Sequence, residues 1–167
     1  MQLYSKLKVD DKSINDYLFF KNLLINRKYS LNNKKKINKL DHYQWWFQNP
    51  QSRKSFFILK DNRPICISSS DHYKYKNFNL IYSGLISCVE ENNLFDILKS
   101  IKIQNEYLDT QKNTYCFISI NKKNNVLMHH WKYFNYEPFL SDNNFFSFIK
   151  KKLNIKNNAK IFFKKIK

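Results

Sequence analysis

Glycine and alanine are almost missing from this 167-residue chain, which has one of each, Gly84 and Ala159, and is crowded instead with Lys, Asn and Ile. AT-rich coding DNA produces that pattern, so part of the chain's basicity is compositional. Cysteine is scarce too. Cys66, Cys88 and Cys116 are odd in number, widely spaced and embedded in apolar runs, which reads as buried free thiols in a reducing compartment. No CxxC and no Cys/His pair has zinc spacing, so no metal is expected. No stretch approaches the roughly 18–20 apolar residues a bilayer requires, and Met1-Gln2-Leu3-Tyr4-Ser5-Lys6 lacks the apolar core of a signal peptide. A cytoplasmic chain without a membrane span is the expectation.

Acidic residues are outnumbered, with 13 Asp plus Glu against 30 Lys plus Arg and a formal charge of +17. A field of that sign attracts polyanions, a nucleotide cofactor included. The densest runs are Lys34-Lys35-Lys36, Lys150-Lys151-Lys152 and Lys164-Lys165, and 11 Tyr with 15 Phe are at hand for stacking. A nucleic-acid-binding face is therefore chemically open. The lysines fall in loops and the tail rather than at regular spacing on one element, so a solvated surface is the simpler reading.

What is present is a core. Apolar residues make up 43% and aromatics 17% of the chain, too much for disorder. The length suits one domain over residues 1–167, ending in a lysine-rich tail. Residues 1–9 read as a strand. Asp10, Asp11 or Ser13 then caps a helix carrying Ile14, Tyr17, Leu18, Leu24 and Ile25 and ending near Arg27. Asn32-Asn33-Lys34-Lys35-Lys36 reads as an exposed loop. Asp41 caps a short aromatic helix, His42-Tyr43-Gln44-Trp45-Trp46-Phe47.

Phe56–Leu59, a polar turn at Asp61-Asn62-Arg63, and Pro64–Ser68 form the clearest hairpin. Leu80–Val89 is apolar enough for a central strand, and its Gly84 suggests a bulge or a close backbone approach. Leu94, Ile97, Leu98, Ile101 and Leu108 repeat at helical spacing behind an Asn92 or Asn93 cap. Tyr115–Ile120 is a buried strand. A helix follows from about Asn124 to Phe134, and Asn135 stands where a left-handed residue stops it. Phe139–Ile149 and Lys160–Ile166 are expected as the last strands. The alternation implies a crossover and a mixed sheet covered by helices.

That order resembles the GNAT acyltransferases, and two stretches agree with them. His42-Tyr43-Gln44-Trp45-Trp46-Phe47 with Ser55-Phe56-Phe57-Ile58-Leu59-Lys60-Asp61-Asn62-Arg63-Pro64-Ile65 is similar to the segment "H-x-x-W, loop, strand, D-G-x-P-I-G" of members acting on amino-sugar nucleotides. Ile118–Val126 through Trp131–Pro138 is similar to the ending "strand, N-x-x-A, helix, L-Y-x-x-L-G-F". The resemblance implies an α/β (α+β) fold with a mixed, mostly antiparallel central sheet, a splayed strand pair and about four flanking helices. It implies an N-acyltransferase moving an acyl group, most simply acetyl from acetyl-CoA, to a primary amine. A nucleotide-linked amino sugar of surface-polysaccharide synthesis is the first acceptor to consider.

The resemblance also distributes roles. The strand end Ser87, Cys88 and Val89 would pair with pantetheine, and Asn92, Asn93 and Asn124 would contact the cofactor; Asn124 as a plain helix cap looks the same. Glu90 and Glu91 are candidates for the base that takes the ammonium proton, or are helix-start electrostatics. His130, beside His129, is a candidate acid or base near the thioester, or a helix-surface residue. Trp45 and Trp46 would wall the acceptor, or pack a helix on the sheet. His42 and His72 have no identifiable partner in the sequence.

Two positions depart from the family. The pyrophosphate turn is Glu90-Glu91-Asn92-Asn93-Leu94, without glycine or arginine, and Trp131 stands where a tyrosine ordinarily protonates the thiolate, with Tyr133 facing elsewhere on the helix. They leave a second reading, a GNAT-like binding or scaffold protein whose cofactor site has decayed.

Overall fold

The computed structural model describes residues 3–23, 31, 35–48, 52–89, 93–140 and 144–166. They run β1 (Tyr4–Lys8), α1 (Ile14–Leu23), α2 (Lys39–Gln48), β2 (Arg53–Lys60), β3 (Arg63–Tyr75), β4 (Phe78–Ser87), α3 (Leu94–Leu108), β5 (Thr114–Asn121), α4 (Asn125–His130), a 3₁₀ turn (Trp131–Phe134), β6 (Glu137–Pro138), α5 (Asn144–Lys152) and β7 (Ala159–Ile166). The strands form one sheet in the order β1-β2-β3-β4-β5-β7-β6. Among the described residues only β4 and β5, joined by the α3 crossover, are parallel. The sheet is therefore mixed and mostly antiparallel.

Period-2 alternation sorts its two faces. Ile81, Cys116, Ile118, Ile120, Phe162 and Ile166 point to the face covered by α3 and α4, where Ile101, Leu108 and Trp131 meet them. Phe57 and Ile67 point to the other face and pack against α1 and α2 through Tyr17, Trp45 and Trp46. On that same face Leu80, Phe117 and Ile161 lie under α5.

Local chemistry explains most boundaries. The Asp10 carboxylate accepts from the Lys12 and Ser13 N–H groups ahead of α1. Asp61 and Asn62 both adopt positive φ, 48° and 64°, the conformation a two-residue hairpin needs and one that Asp and Asn tolerate. The Asn93 side chain accepts from the Asp96 N–H and caps α3. Asn135 sits at φ 59°, ψ 30° and ends the 3₁₀ turn, the left-handed stop expected from sequence.

The structure corrects three expectations. Asn38 caps α2: its Oδ1 accepts from the Asp41 N–H, so Asp41 lies in the first turn. Gly84 marks no bulge, since the β3–β4 register runs unbroken from Cys66↔Ser87 to Tyr75↔Phe78. An added Cβ there would meet only the Ser69 Oγ, at 3.5 Å. The bulge lies in β3 instead, where the register shifts beside Pro64, which lacks the N–H a ladder requires.

The third correction is α5, which lies in the span expected to be a strand. Phe145, Phe148 and Ile149 recur at helical spacing and pack on the sheet; a dense aromatic run matches both periods, and the packing surface selected 3.6. Its last turn is Lys150, Lys151 and Lys152, which complements the helix dipole. The Ile155 N–H donates to the Lys150 carbonyl at 3.0 Å across Asn154, at φ 47°, the pattern that closes a helix end on a left-handed residue. The continuation of α1 toward Arg27 and the run Asn32-Asn33-Lys34 lie outside the described residues; Lys35 and Lys36 are exposed.

Candidate functional site

The sheet opens at the parallel pair, β4 and β5. β4 and β5 are in register from Asn79↔Thr114 to Ser83↔Ile118 and no further. β4 nevertheless continues to Ser87 and β5 to Asn121. Beyond Ser83, β4 stays with β3 and β5 stays with β7. Each antiparallel pair keeps its own twist, and the two diverge. Residues 84–87 and 119–121 thus face one another across a notch without pairing. The Gly84 carbonyl accepts from Gln104 Nε2 at 2.8 Å and the Asn121 carbonyl from the Asn124 N–H at 2.8 Å; the other edge groups that meet no strand are of the kind an extended amide chain satisfies.

On the face of α1, α2 and α5, the hydroxyls of Tyr82 and Ser119 share a hydrogen bond across the mouth of the notch. Burial raises the Tyr82 phenol above its usual range, against the opposing effect of the Ser119 bond, so it stays protonated. On the other face, Leu85, Ile97, Leu127 and Met128 pack against the core cluster that includes Ile118 and Ile120.

The β4–α3 turn begins beside it. Ser87 Oγ donates to the Val89 carbonyl at 2.5 Å and accepts from the Val89 N–H at 3.2 Å. The Cys88 N–H donates to the Ile65 carbonyl at 2.8 Å, and the Cys88 side chain joins the core under α1 and α2. The N–H groups of Cys88 and Val89 are thereby occupied within the chain. Glu90, Glu91 and Asn92 lie outside the described residues.

At the start of α3, the buried Asp96 carboxylate accepts from the Tyr4 hydroxyl at 2.5 Å and from Lys60 Nζ at 3.0 and 3.1 Å. Burial alone would raise its pKa. The bonds from Tyr4 and Lys60 and the lysine's charge outweigh that and hold it below the usual range. The acid therefore sits in the first turn already neutralised by Lys60.

Asn124 caps α4, accepting from the Leu127 N–H at 3.2 Å. His129 and His130 bond their Nδ1 atoms to the Asn125 and Val126 carbonyls, both at 2.6 Å. A ring nitrogen facing a carbonyl must donate, so a neutral His130 keeps its lone pair on Nε2. Trp131 is core: it is 6% exposed, packs edge-on against Tyr136, and its Nε1 has no hydrogen-bond partner among the described residues. Tyr133 is 81% exposed and points away.

Trp45 and Trp46 pack into the α1–α2 core. Trp45 stacks on Tyr17 and on the buried His42, and carries the Arg53 guanidinium at 3.9 Å and Lys21 Nζ at 4.3 Å from its ring centre. Trp46 Nε1 donates to Asp11 Oδ1 at 3.1 Å. Arg53 gives Nε and Nη2 to the two carboxylate oxygens of Asp71, its cross-strand partner. Tyr82 lies opposite Asp71 on the next strand.

Lys21, Arg53, Asp71, Tyr82 and Ser119 are polar residues that sequence reasoning missed. The available signal was parity: Asp71 and Tyr82 alternate in phase with Ile67 and Ile86, so they stand on a core-facing side. The three cysteines are free and buried, and burial pushes the Cys116 thiol up to about 12. Among the described residues no group of three His, Cys, Asp or Glu could hold a metal, and no helix is long and apolar enough to cross a membrane.

No protein-family model and no characterised protein matches the sequence. Solved structures do match the fold. An acetyltransferase of the GNAT family from Streptococcus pneumoniae superposes with a TM-score of 0.71 at 7% identity, covering 99% of this chain and 100% of that one. A putative acetyltransferase from Salmonella typhimurium, solved with its cofactor acetyl-CoA, gives 0.70 at 5% identity, covering 98% and 94%. A spermidine N-acetyltransferase from Vibrio cholerae in complex with CoA and spermine gives 0.72 at 10% identity, covering 96% and 94%. At such identities the likeness speaks for architecture: the chain has the fold of the GNAT acetyltransferases.

Proposed function

We propose that this chain is one acyltransferase domain that moves an acyl group, most simply acetyl, from acyl-CoA to a primary amine. The observation that carries the reading is the notch at the end of the parallel β4–β5 pair, set in a sheet of the GNAT fold. In this reading the pantetheine lies along the open edges of β4 and β5, and the CoA phosphates are drawn by the chain's positive field. With Cys88 and Val89 bonded internally and the Gly84 carbonyl taken by Gln104, the β4 backbone at Leu85 and Ile86, together with Asn93 and Asn124, is assigned the cofactor contacts.

The amine nitrogen attacks the thioester carbonyl carbon, the C–S bond breaks, and sulfur needs a proton. Trp131 cannot supply one. The Tyr82–Ser119 hydroxyl pair at the mouth of the notch is the proposed donor; the attacking nitrogen sheds its second proton to solvent as the amide forms, and Tyr82 regains its own from solvent. Glu90, Glu91 and His130 through Nε2 are the groups proposed to take the ammonium proton before attack. An amino sugar carried on a nucleotide remains the acceptor to try first, because its phosphates suit a cationic protein.

Calorimetric titration with acetyl-CoA, followed by acetyl transfer to amine panels, tests this. Binding with turnover is expected, and absence of both heat and thermal shift at millimolar acetyl-CoA would remove the enzyme. A decayed, ligand-binding GNAT fold is the second reading, favoured by the occupied N–H groups of the β4–α3 turn and the buried Trp131. It predicts binding of CoA without turnover of any amine.

A further inference from the structure

The polar floor between α1, α2 and β3 holds more positive charge than it balances. α1 places Lys21 one turn beyond Tyr17, α2 places Trp45 beside it, and β2 begins with Arg53. Lys21 Nζ and the Arg53 guanidinium thus lie over one indole, at 4.3 and 3.9 Å from its centre. Among the described residues Asp71 is the carboxylate paired with these cations, and both of its oxygens accept from Arg53. Lys21 has no hydrogen bond or ion pair to any described residue; its contacts are the Trp45 and Tyr17 rings.

Two cations share the space and only one is neutralised. Lys21 responds accordingly, pushed down to about 8 by burial first and by repulsion from Arg53 second, with Asp71 opposing. The buried His42 on the same stack goes down to about 4 for similar reasons, burial and then Lys21. The floor is not sealed, since the Arg53 and Asp71 side chains are 24% and 16% exposed and Lys21 is half-buried. From the α5 side, Lys152 reaches over Tyr73, two residues beyond Asp71 on the same face.

We infer that Lys21, Arg53 and Trp45 form an anion-binding cage that holds a phosphate or carboxylate group of the acceptor. Its place in the sheet sets the substrate class. Arg53, Asp71, Tyr82 and Phe117 form one row across β2, β3, β4 and β5. Strand spacing then puts Arg53 about 10 Å from the β4 edge of the notch. The acceptor is a primary amine with an anionic group roughly that far from its nitrogen. This selection rests on the transferase reading, whereas the cage itself does not.

Methionine at position 21 keeps the apolar stem on the rings and removes the unpaired charge. The test is the thermal midpoint of wild type, K21M and K102M with and without inorganic phosphate at about 10 mM, a ligand that binds the native state raising the midpoint. Lys102 is an exposed residue of α3 and controls for nonspecific screening of this basic protein. Phosphate is expected to stabilise wild type and K102M but not K21M, and K21M without phosphate is expected to be at least as stable as wild type.

Equal phosphate shifts in K21M and K102M, or none in wild type, overturn the cage. In turnover, K21M should lower kcat/KM for a phosphorylated amino sugar, relative to the unphosphorylated one, by about tenfold, as expected for loss of one charge-assisted bond. An unchanged ratio overturns the selection. Acetyl-CoA binding, measured separately, shows whether the transferase reading has failed instead.

Discussion

Replacing Asp96 with Asn would separate stability from cofactor affinity at the start of α3. The carboxylate joins three elements: the Tyr4 hydroxyl from β1, Lys60 Nζ from β2, and the first turn of α3 itself. Asparagine keeps the size and one acceptor oxygen but turns an NH₂ toward one of the two donors. One charge-assisted hydrogen bond is lost, about 1.5–3 kcal/mol, together with the favourable charge at a helix N-terminus, about 0.3–1 kcal/mol. The expected cost is therefore about 2–4 kcal/mol, or roughly 4–16 °C in the melting midpoint of a chain this size.

The pH dependence has a definite sign. The folded-state pKa of Asp96 is lowered, so its stabilisation is fully present above the unfolded value, about 3.9, and is lost as pH falls through the folded value. The gap between wild type and D96N should be open at pH 7 and shrink below about pH 4. Lys60 is left uncompensated in the variant, so acetyl-CoA should bind it more tightly even though the fold is weaker. Calorimetric melts at several pH values, with acetyl-CoA titration at pH 7, read both effects. A midpoint within about 1 °C of wild type at pH 7, or a gap that does not change with acidification, would refute the account of Asp96.

Other substitutions probe the remaining features. Y82F should lower kcat about 10²-fold with little change in KM if Tyr82 feeds the proton to sulfur; kcat within about twofold of wild type discards it as the donor. Lys164 is 7% exposed and donates to the buried Asn105 at 2.5 Å and to Asp109 at 2.7 Å. K164M should cost about 1–3 kcal/mol in urea melts by stranding the Asn105 oxygen, and K164M/N105L should recover most of it; no recovery means the loss is packing. At the hairpin, N62G should stabilise by about 0.5 kcal/mol because Asn62 holds φ 64°; destabilisation would contradict the turn geometry.

Most of the architecture was legible because it is locally encoded. The Asp61-Asn62 turn, the Asn93 cap, the Asn135 stop and the apolar spacing of α3 each involve residues within a few positions of one another, where φ preference and hydrogen-bond reach decide the outcome. The failures came where two local readings were equal. Phe139–Ile149 suited strand and helix alike until the sheet face carrying Phe117 and Ile161 offered a surface for α5.

The chemistry divides in the same way. The sequence alone determined a basic chain with a core and the order of its elements up to the 3₁₀ turn, though not α5. It could not bring together Tyr82 and Ser119, or Lys21 with Arg53, because these pairs are 37 and 32 positions apart in sequence and meet only through strand register and helix docking. The notch itself is a tertiary fact. Nothing in Leu80–Val89 or Tyr115–Ile120 says where their pairing stops; it stops where β4 follows β3 and β5 follows β7, and two twisting antiparallel pairs can no longer stay in contact.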